Sequence, residues 1–317
     1  MRRINVTATA RLHFGFLDPS GRSKRPFGSF GLSLNRPATR LVLERAKAPH
    51  VTGTEHDRAE RYLTAIAASS GLEPNFALHL TEAIPPHAGL GSGTQLALAV
   101  GSACSALVGL DLSPQEIARR LQRGGRSGIG IFTFEQGGAV LDGGPGAGNA
   151  LPELRARLPF PPAWRVLLIF DADATGLAGA SETAAFASLP DFPEAETAEL
   201  CRRITGAALP ALAAGDFTMF CEQIGYLQAR MGAYFAPLQG GPYTSPAVSD
   251  VLDWLRGEGL TGIGQSSWGP TGFAFVPSHA EGEVLLNAMR ARSHRPGLSF
   301  ELAQGRNEGA KIETSAV

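Results

Sequence analysis

The sequence predicts an α+β fold arranged in two lobes. Segments with the two-residue period of strands and segments with helical periodicity follow one another along 317 residues, a length that suits two domains or one large two-lobed unit. Apolar residues make up 44% of the chain, so a sizeable core can form. A stretch rich in proline, glycine and alanine, residues 145–163, divides the chain and predicts domains at residues 1–160 and 161–317.

Composition excludes several classes of protein. The formal net charge is −1, so neither nucleic acid nor an anionic membrane is an expected partner. The three cysteines form no CxxC pair, which argues against a disulfide framework or a zinc site and fits a reducing, cytoplasmic location. The N-terminus lacks the apolar region of a signal peptide, and the longest apolar run, Leu96 to Leu110, is shorter than the roughly 20 residues that a membrane span needs.

The first element is a strand. Residues 4–17, "INVTATARLHFGFL", alternate between apolar and polar side chains, as in a half-buried strand. Arg11 and His13 then point the same way, roughly 7 Å apart. The pair indicates either an ordinary solvated strand face or part of a site.

A long loop is expected next, at residues 18–37, because this stretch has no clear period and holds a glycine bend at Gly28 and Gly31. Lys24 and Arg25 lie in it and either meet an anion or belong to a solvated surface. Strands at 39–46 and 75–82 and a helix at 56–70 complete this part of the chain.

The stretch "PPHAGLGSGTQLALAVGSA", residues 85–103, combines two prolines, a glycine bend and the start of a helix expected over 94–107. Its glycines let backbone N–H groups converge, its hydroxyls add donors, and the helix N-terminus carries partial positive charge. These features predict a phosphate or pyrophosphate cradle formed by Gly89, Gly91, Ser92, Gly93 and Thr94. A glycine-rich helix entry used only for tight packing is the alternative.

The remaining elements follow from local signals. Capping boxes at Ser113 and Ser278 start two helices, the second ending near Arg292. Between them the sequence predicts a loop, strand and turn over 126–144, a buried strand at 164–171, helices near 194–214 and 216–234, a helix from Pro246 to Gly257 or Gly259, and a strand–turn–strand over 262–276. The last ten residues are polar and are expected to be loose.

Three of these stretches resemble the motifs of the GHMP kinase superfamily. "ATARLHFGF" is similar to its first motif, "PPHAGLGSGTQLALA" to its second and "GIGQSSWGPTGFAF" to its third, so the resemblance spans most of the chain. It implies a ribosomal-S5-like N-terminal domain and a ferredoxin-like C-terminal domain, with the glycine loop between them.

Two departures distinguish the chain from the kinases it resembles. Gly130 stands in "RSGIGI" where many of those kinases carry a catalytic aspartate, and glycine cannot take a proton from an alcohol. Trp268 and Pro270 occupy the third motif, where the kinases have a run of glycines.

Five stretches together resemble the β-ribofuranosylaminobenzene 5′-phosphate synthase family: "RLHFGFLD", "HAGLGSGTQLALA", "RSGIGIFTFEQGG", "LDGG" and "GQSSWGPTGFAF". The resemblance implies an enzyme of tetrahydromethanopterin biosynthesis, a decarboxylating pentosyltransferase. It would join phosphoribosyl pyrophosphate to 4-aminobenzoate or 4-hydroxybenzoate and release carbon dioxide and pyrophosphate. The glycine loop would hold the phosphoribosyl pyrophosphate, and no alcohol proton need be removed.

Further site residues are expected around that loop. Arg11 and Arg126 would pair with phosphate or with the benzoate carboxylate. His13 would accept the phenolic or anilinic proton, unless it is a surface histidine. Ser267 and Trp268 would wall the aromatic pocket, although Trp268 also suits the core.

Magnesium is the expected cofactor, and no nucleotide is expected. Asp142 in "LDGG" would ligate the metal or the ribose hydroxyls, or would cap its own turn. Glu135 is a weaker candidate ligand, and Glu182 either joins the site or opens a helix. The expected partners are small molecules and a second copy of the chain. An ATP-dependent small-molecule kinase is the alternative function, and a ligand-binding protein without catalysis is a third.

Overall fold

The computed structural model describes residues 2–20, 27–146, 150–176, 180–293 and 295–316. These residues form a seven-stranded sheet and a four-stranded sheet, both covered by helices, so the α+β prediction is confirmed.

The seven-stranded sheet is built mainly from the first half of the chain. Its strands are β1 (Arg2–Asp18), β2 (Phe27–Arg45), β3 (His50–Gly53), β4 (Phe76–Glu82), β5 (Ala139–Asp142), β6 (Leu154–Leu158) and β11 (Lys311–Ala316). The order is β11-β1-β2-β4-β3, while β5 pairs with β2 and β6 with β5. Apart from the parallel pair β3 and β4, all these pairs are antiparallel.

Four helices accompany this sheet: α1 (His56–Ser69), α2 (Ser92–Val108), α3 (Pro114–Arg120) and α4 (Ile129–Gln136). The predicted capping box starts α3, where Ser113 and Glu116 cap each other. Helix α2 is the central one and is buried on most sides, because its alanines, serines and Gly101 let neighbours approach closely. A Cβ built on Gly101 would lie 2.2 Å from Cγ2 of Ile117 in α3.

The four-stranded sheet consists of β7 (Arg165–Asp171), β8 (Ile263–Gln265), β9 (Gly272–Val276) and β10 (Leu298–Ala303), in the antiparallel order β10-β7-β9-β8. Its helices are α5 (Ala180–Ser188), α6 (Glu194–Arg203), α7 (Leu209–Ala214), α8 (Phe217–Gln239), α9 (Pro246–Gly257) and α10 (His279–Arg292), with a π-helical turn between α6 and α7. Side chains of Asp216, Ser245 and Ser278 cap three of them.

One hydrophobic cluster joins the two halves. Phe14 of β1 packs against Phe275 of β9, with ring centroids 5.6 Å apart, and Phe160 packs against Phe220 of α8. Aromatic pairs of this kind hold β1 against the second sheet. The C-terminal half of β1 is thereby fixed beside the loop that connects β8 to β9.

The structure corrects several expectations. Residues 27–37 belong to β2 and not to a loop, because their backbone pairs with β1 and β5. The segment after Arg126, which was expected to form a loop and a strand, forms helix α4 before β5 begins. Strand β6 lies within the proline-rich stretch, and β10 was not predicted. The final residues are not loose, since β11 pairs with β1. The domain division at residue 160 stays a prediction, and β11 returns from the second half to the first sheet.

Candidate active site

The glycine bend lies at the N-terminus of α2 and requires glycine at two positions. Gly89 has φ +77° and Gly91 has φ +79°, values that other residues adopt only with strain. Gly89 is also enclosed, since a Cβ there would lie 2.1 Å from the carbonyl oxygen of Ser266. The hydroxyl of Ser266 donates to the Gly89 carbonyl at 2.8 Å and accepts the His13 amide at 3.0 Å. The β8–β9 loop therefore joins β1 to the glycine bend.

Arg11 is attached to this bend. Its backbone N–H donates to the Leu90 carbonyl at 3.1 Å, and its Nη1 donates to the Gly89 carbonyl. Burial lowers the pKa of Arg11 to about 10, and the negative charge of Glu182 opposes that shift. Arg11 is thus protonated at neutral pH and adds a full positive charge to the helix N-terminus.

A cleft of about 440 Å³ opens over the glycine bend. This volume lies in the usual range for small-molecule sites. All five predicted cradle residues line it, together with Arg11, Ser267 and Trp268. Three further arginines line it as well: Arg58 and Arg61 from α1, and Arg123 from the loop after α3. Within the described part of the chain, Glu182 is the one carboxylate lining this cleft.

His13 lies in a separate, smaller cavity of about 30 Å³, which shares Ser267 and Trp268 with the cleft. The side chain is only 4% exposed, so it does not lie on a solvated strand face. Burial, reinforced by the charge on Arg11, lowers the pKa of His13 to about 3, so the imidazole is neutral at physiological pH. Its Nε2 is buried without a hydrogen-bond partner among the described residues.

The rest of the small cavity is apolar or already hydrogen-bonded. Phe16, Phe235 and Trp268 supply aromatic walls, and Trp268 packs on Phe235 with ring centroids 4.5 Å apart. The amide of Gln228 donates to the Phe14 carbonyl and accepts the backbone N–H of Gln265 at 2.8 Å. Among these lining groups, His13 Nε2 is therefore the buried side-chain atom that lacks a hydrogen-bond partner.

Arg126 lies beside the cleft and not in its lining. Its guanidinium pairs with Glu182 at 2.9 Å and stacks over the Phe186 ring at 4.7 Å. Phe186 in turn packs edge-to-face on Trp268, with centroids 5.4 Å apart. Arg126 is thus already neutralised by a carboxylate.

Asp142 does not line the cleft either. It is 1% exposed, and its carboxylate accepts five hydrogen bonds, from both the N–H and hydroxyl of Ser29, the hydroxyl of Ser127 and the N–H groups of Gly128 and Gly144. Burial raises the pKa of Asp142, and these donors oppose the shift. The expectation that Asp142 ligates magnesium is not supported, because its lone pairs hold β2, β5 and the start of α4 together.

The other candidate ligands are placed as follows. Glu135 is exposed on α4 and accepts a hydrogen bond from Gln115 at 2.9 Å, away from the cleft. No cluster of three or more His, Cys, Asp or Glu side chains suited to a metal ion occurs among the residues described. Lys24 and Arg25 lie outside the described residues.

Gly130 packs directly against the glycine bend. A Cβ built on Gly130 would lie 2.9 Å from Cγ2 of Thr94, and the Gly130 carbonyl accepts the side-chain amide of Gln95 at 2.8 Å. A carboxylate side chain at this position would have to displace Thr94. The structure thus gives a packing reason for the glycine in "RSGIGI".

Sequence reasoning missed Arg58, Arg61, Arg123 and Tyr62. The two α1 arginines are three positions apart and so share one helix face, but this spacing is equally common on solvated helices. Only the fold brings them to the glycine bend. No helix of sufficient length and apolarity to cross a membrane is found among the described residues.

Comparison with known proteins identifies related chains. The family model for the GHMP kinases N terminal domain matches residues 57–138, and that for the GHMP kinases C terminal region matches residues 208–294. A beta-ribofuranosylphenol 5′-phosphate synthase from Archaeoglobus fulgidus is 29% identical, with 98% of this chain and 99% of the relative covered. The protein of the same name from Methanothermobacter thermautotrophicus is 28% identical, at 96% and 97% coverage.

The fold also matches solved structures. The crystal structure of homoserine kinase from Cytophaga hutchinsonii superposes with a TM-score of 0.69 and 17% identity, covering 98% of this chain and 97% of that one. At this identity the likeness concerns the fold, and it agrees with the two-lobed architecture expected from the sequence motifs.

Proposed function

Because this chain belongs to the GHMP kinase superfamily and its full-length relatives are synthases, we propose that it is a decarboxylating phosphoribosyltransferase. It would join phosphoribosyl pyrophosphate to 4-aminobenzoate or 4-hydroxybenzoate, releasing carbon dioxide and pyrophosphate. The product would serve tetrahydromethanopterin biosynthesis.

The observation that carries the proposal is the junction of two unlike sites. A cleft with four arginines and a helix N-terminus adjoins a cavity with aromatic walls, and Ser267 and Trp268 line both. In the aromatic cavity, His13 Nε2 is buried without a hydrogen-bond partner among the described residues. The first suits a donor that carries phosphate at two places, and the second suits an aromatic ring with a polar substituent. The cavity of about 30 Å³ holds little more than a water, so the ring must enter by displacing its aromatic walls.

The reaction balances without a base that removes an alcohol proton. The bond between C1 of ribose and the pyrophosphate oxygen breaks, and its electron pair leaves with pyrophosphate. The ring carbon that bears the carboxylate forms the new bond to C1 with its π electrons. The bond to the carboxylate then breaks, its electrons restore the aromatic ring, and carbon dioxide leaves. This is consistent with the absence of a carboxylate at Gly130.

His13 supports the ring in this reaction as a hydrogen-bond acceptor. Electron donation from the para heteroatom makes its O–H or N–H more acidic as the new bond forms. A neutral imidazole nitrogen in a dry cavity accepts that hydrogen bond and stabilises the developing positive charge. The lowered pKa of His13 keeps the imidazole neutral in the empty site, so its Nε2 is free to accept this hydrogen bond at the para heteroatom.

Arg11 would stabilise the leaving pyrophosphate. Its guanidinium and the N–H groups at the start of α2 would face the oxygens on which negative charge accumulates. Arg126, by contrast, is paired with Glu182. A substrate carboxylate without a fixed cation loses carbon dioxide more readily, because a strong ion pair would stabilise the ground state.

Magnesium would arrive with the pyrophosphate. Among the described residues the cleft offers one carboxylate, Glu182, and Mg²⁺ commonly takes one or two carboxylates together with substrate phosphates, so this donor set would suit a site shared with the substrate and not an all-protein one. When bound, the ion would supply positive charge to the leaving group. A homodimer and a cytoplasmic location remain predictions.

The test is release of labelled carbon dioxide. The purified protein is incubated with Mg²⁺, phosphoribosyl pyrophosphate and each carboxyl-labelled benzoate, and parallel reactions omit the donor or replace it with ATP. We expect release from at least one benzoate only with phosphoribosyl pyrophosphate. ATP-dependent phosphorylation of a small alcohol without decarboxylation would establish the kinase alternative, and tight binding without turnover would establish a binding protein.

A further inference from the structure

We propose that Arg58, Arg61 and Arg123 form a second anion subsite, distinct from the one at Arg11, that binds a phosphate monoester. Given the proposed function, on which this assignment rests, that monoester is the 5′-phosphate of the phosphoribosyl donor. The subsite is called the distal subsite below.

The distal subsite lies over Gly93, whereas Arg11 lies over Gly91. A Cβ built on Gly93 would be 2.7 Å from Nη2 of Arg123 and 3.5 Å from Nη2 of Arg58. Arg61 follows Arg58 by one helical turn of α1 and lines the same cleft. Arg123 is held in place by Tyr62, whose hydroxyl accepts its Nη2 and whose ring lies 5.3 Å below the guanidinium.

The positive charge of the distal subsite is only partly compensated. Arg58 pairs with Glu55 at 2.9 Å. Among the residues that the structure describes, no carboxylate pairs with Arg61 or Arg123, and Nε of Arg123 is buried without an acceptor. Like charges that converge and a desolvated donor without a partner both raise the free energy of the empty site. A bound dianion removes both penalties.

Gly93 has a role that backbone geometry does not explain. It lies within α2 and has no left-handed φ, so alanine would suit the helix better. A side chain there would have to displace the Arg123 guanidinium, whose Nη2 would lie 2.7 Å from the added Cβ. The glycine therefore allows a cation to lie against the first turn of α2, where an anion also meets the helix N-terminus.

The order of the two subsites follows from the connectivity of the donor. In phosphoribosyl pyrophosphate, C1 carries the leaving group and must face the aromatic acceptor, while the 5′-phosphate lies at the other end of the ribose. Arg11 is two residues from His13, whereas Arg58 and Arg61 line both the cleft and a neighbouring surface pocket that shares no residue with the His13 cavity. Pyrophosphate therefore belongs at Arg11 and the monoester at the distal subsite. ATP would place an uncharged adenosine against these arginines.

The experiment measures binding and does not depend on turnover. Titration calorimetry with ribose 5-phosphate, and separately with magnesium pyrophosphate, is done on the wild type and on Arg61→Gln, Arg123→Gln and Gly93→Ala. We expect each variant to weaken ribose 5-phosphate binding at least about tenfold and pyrophosphate binding less than about threefold. Arg11→Gln should show the opposite pattern.

Arg119→Gln is the matched control, since Arg119 is an exposed arginine on α3 that does not line the cleft. Arg61 is exposed, so its variant remains informative even if Arg123→Gln folds poorly. Equal losses for both ligands, unchanged ribose 5-phosphate binding, or no binding of ribose 5-phosphate by the wild type would overturn the subsite. If the selective pattern appears but no carbon dioxide is released, the subsite stands and only the proposed reaction is wrong.

Discussion

The side chain of Arg11 lies directly over Gly91, so that a Cβ built on the glycine would stand 3.1 Å from both Cγ and Nε of the arginine. The two residues come from different elements, β1 and the residue that precedes α2. Their contact means that the position of the Arg11 guanidinium and the conformation of the glycine bend depend on each other. Both residues can therefore be tested by substitution.

Gly91→Val should weaken phosphoribosyl pyrophosphate binding far more than benzoate binding. Valine at φ +79° is strained by about 1–3 kcal/mol, and its branches displace Arg11. Gly109→Val is a matched control, because Gly109 ends the same helix at φ +80° with no atom within 4 Å of an added Cβ. Both affinities are measured by calorimetry. Equal loss of both ligands in a folded Gly91→Val protein would assign the loop a purely structural role.

Arg11→Lys should lower turnover at least about tenfold, roughly 1.4 kcal/mol of transition-state stabilisation. Lysine keeps the charge but loses the planar group of donors, one of which reaches the Gly89 carbonyl while the others would be available to a phosphate. Steady-state rates are measured beside a thermal melting curve. A parallel fall in melting temperature and activity would indicate a structural effect, and unchanged kinetics would remove Arg11 from the site.

His13→Gln should change how stability depends on pH. With a folded-state pKa of about 3 against 6.5 for the free group, the unfolded state binds the extra proton between these values, so this contribution is complete above pH 6.5 and is lost as pH falls towards 3. The free energy of unfolding should change more steeply with pH in the wild type than in the variant. The difference in slope should reach about 1.4 kcal/mol per pH unit, which corresponds to one bound proton. Denaturant unfolding from pH 7 to 4 measures both curves. Parallel curves would show that His13 takes up its proton over the same pH range in the folded and the unfolded protein.

Asp142→Asn should destabilise the fold by about 1–3 kcal/mol, because whichever end carries the amide nitrogen, a buried backbone N–H loses its acceptor. Glu135→Gln, an exposed change, should have no such effect. The free energy of unfolding and the magnesium dependence of turnover are measured for both. A raised magnesium requirement with unchanged stability would restore Asp142 as a metal ligand.

Local signals were enough to predict the elements that depend on nearby residues. The glycine bend and α2, the capping boxes at Ser113 and Ser278, and the proline start of α9 all follow from backbone conformations that few residues satisfy. The same reasoning identified the five cradle residues that line the cleft.

Other features depend on contacts between distant parts of the chain. In α4, the β-branched Ile129, Ile131 and Thr133 favour a strand, yet this segment is helical because its surroundings bury almost every side. Asp142 caps its start with an acceptor for Gly128, a contact that no local pattern reveals. In the sequence, the arginines of the distal subsite cannot be told from solvated surface residues. They come together only because the fold places α1 beside the loop after α3.

Strand β11 lies along residues 2–7 of β1 and completes that side of the first sheet. During synthesis this edge stays open until residues 311–316 have been made, which at about 5–20 residues per second is a delay of many seconds. An open strand edge is a template for pairing with other chains. Folding of the first lobe is thus coupled to the synthesis of residues 311–316, and a nascent chain stalled before residue 311 is expected to self-associate through its first strand.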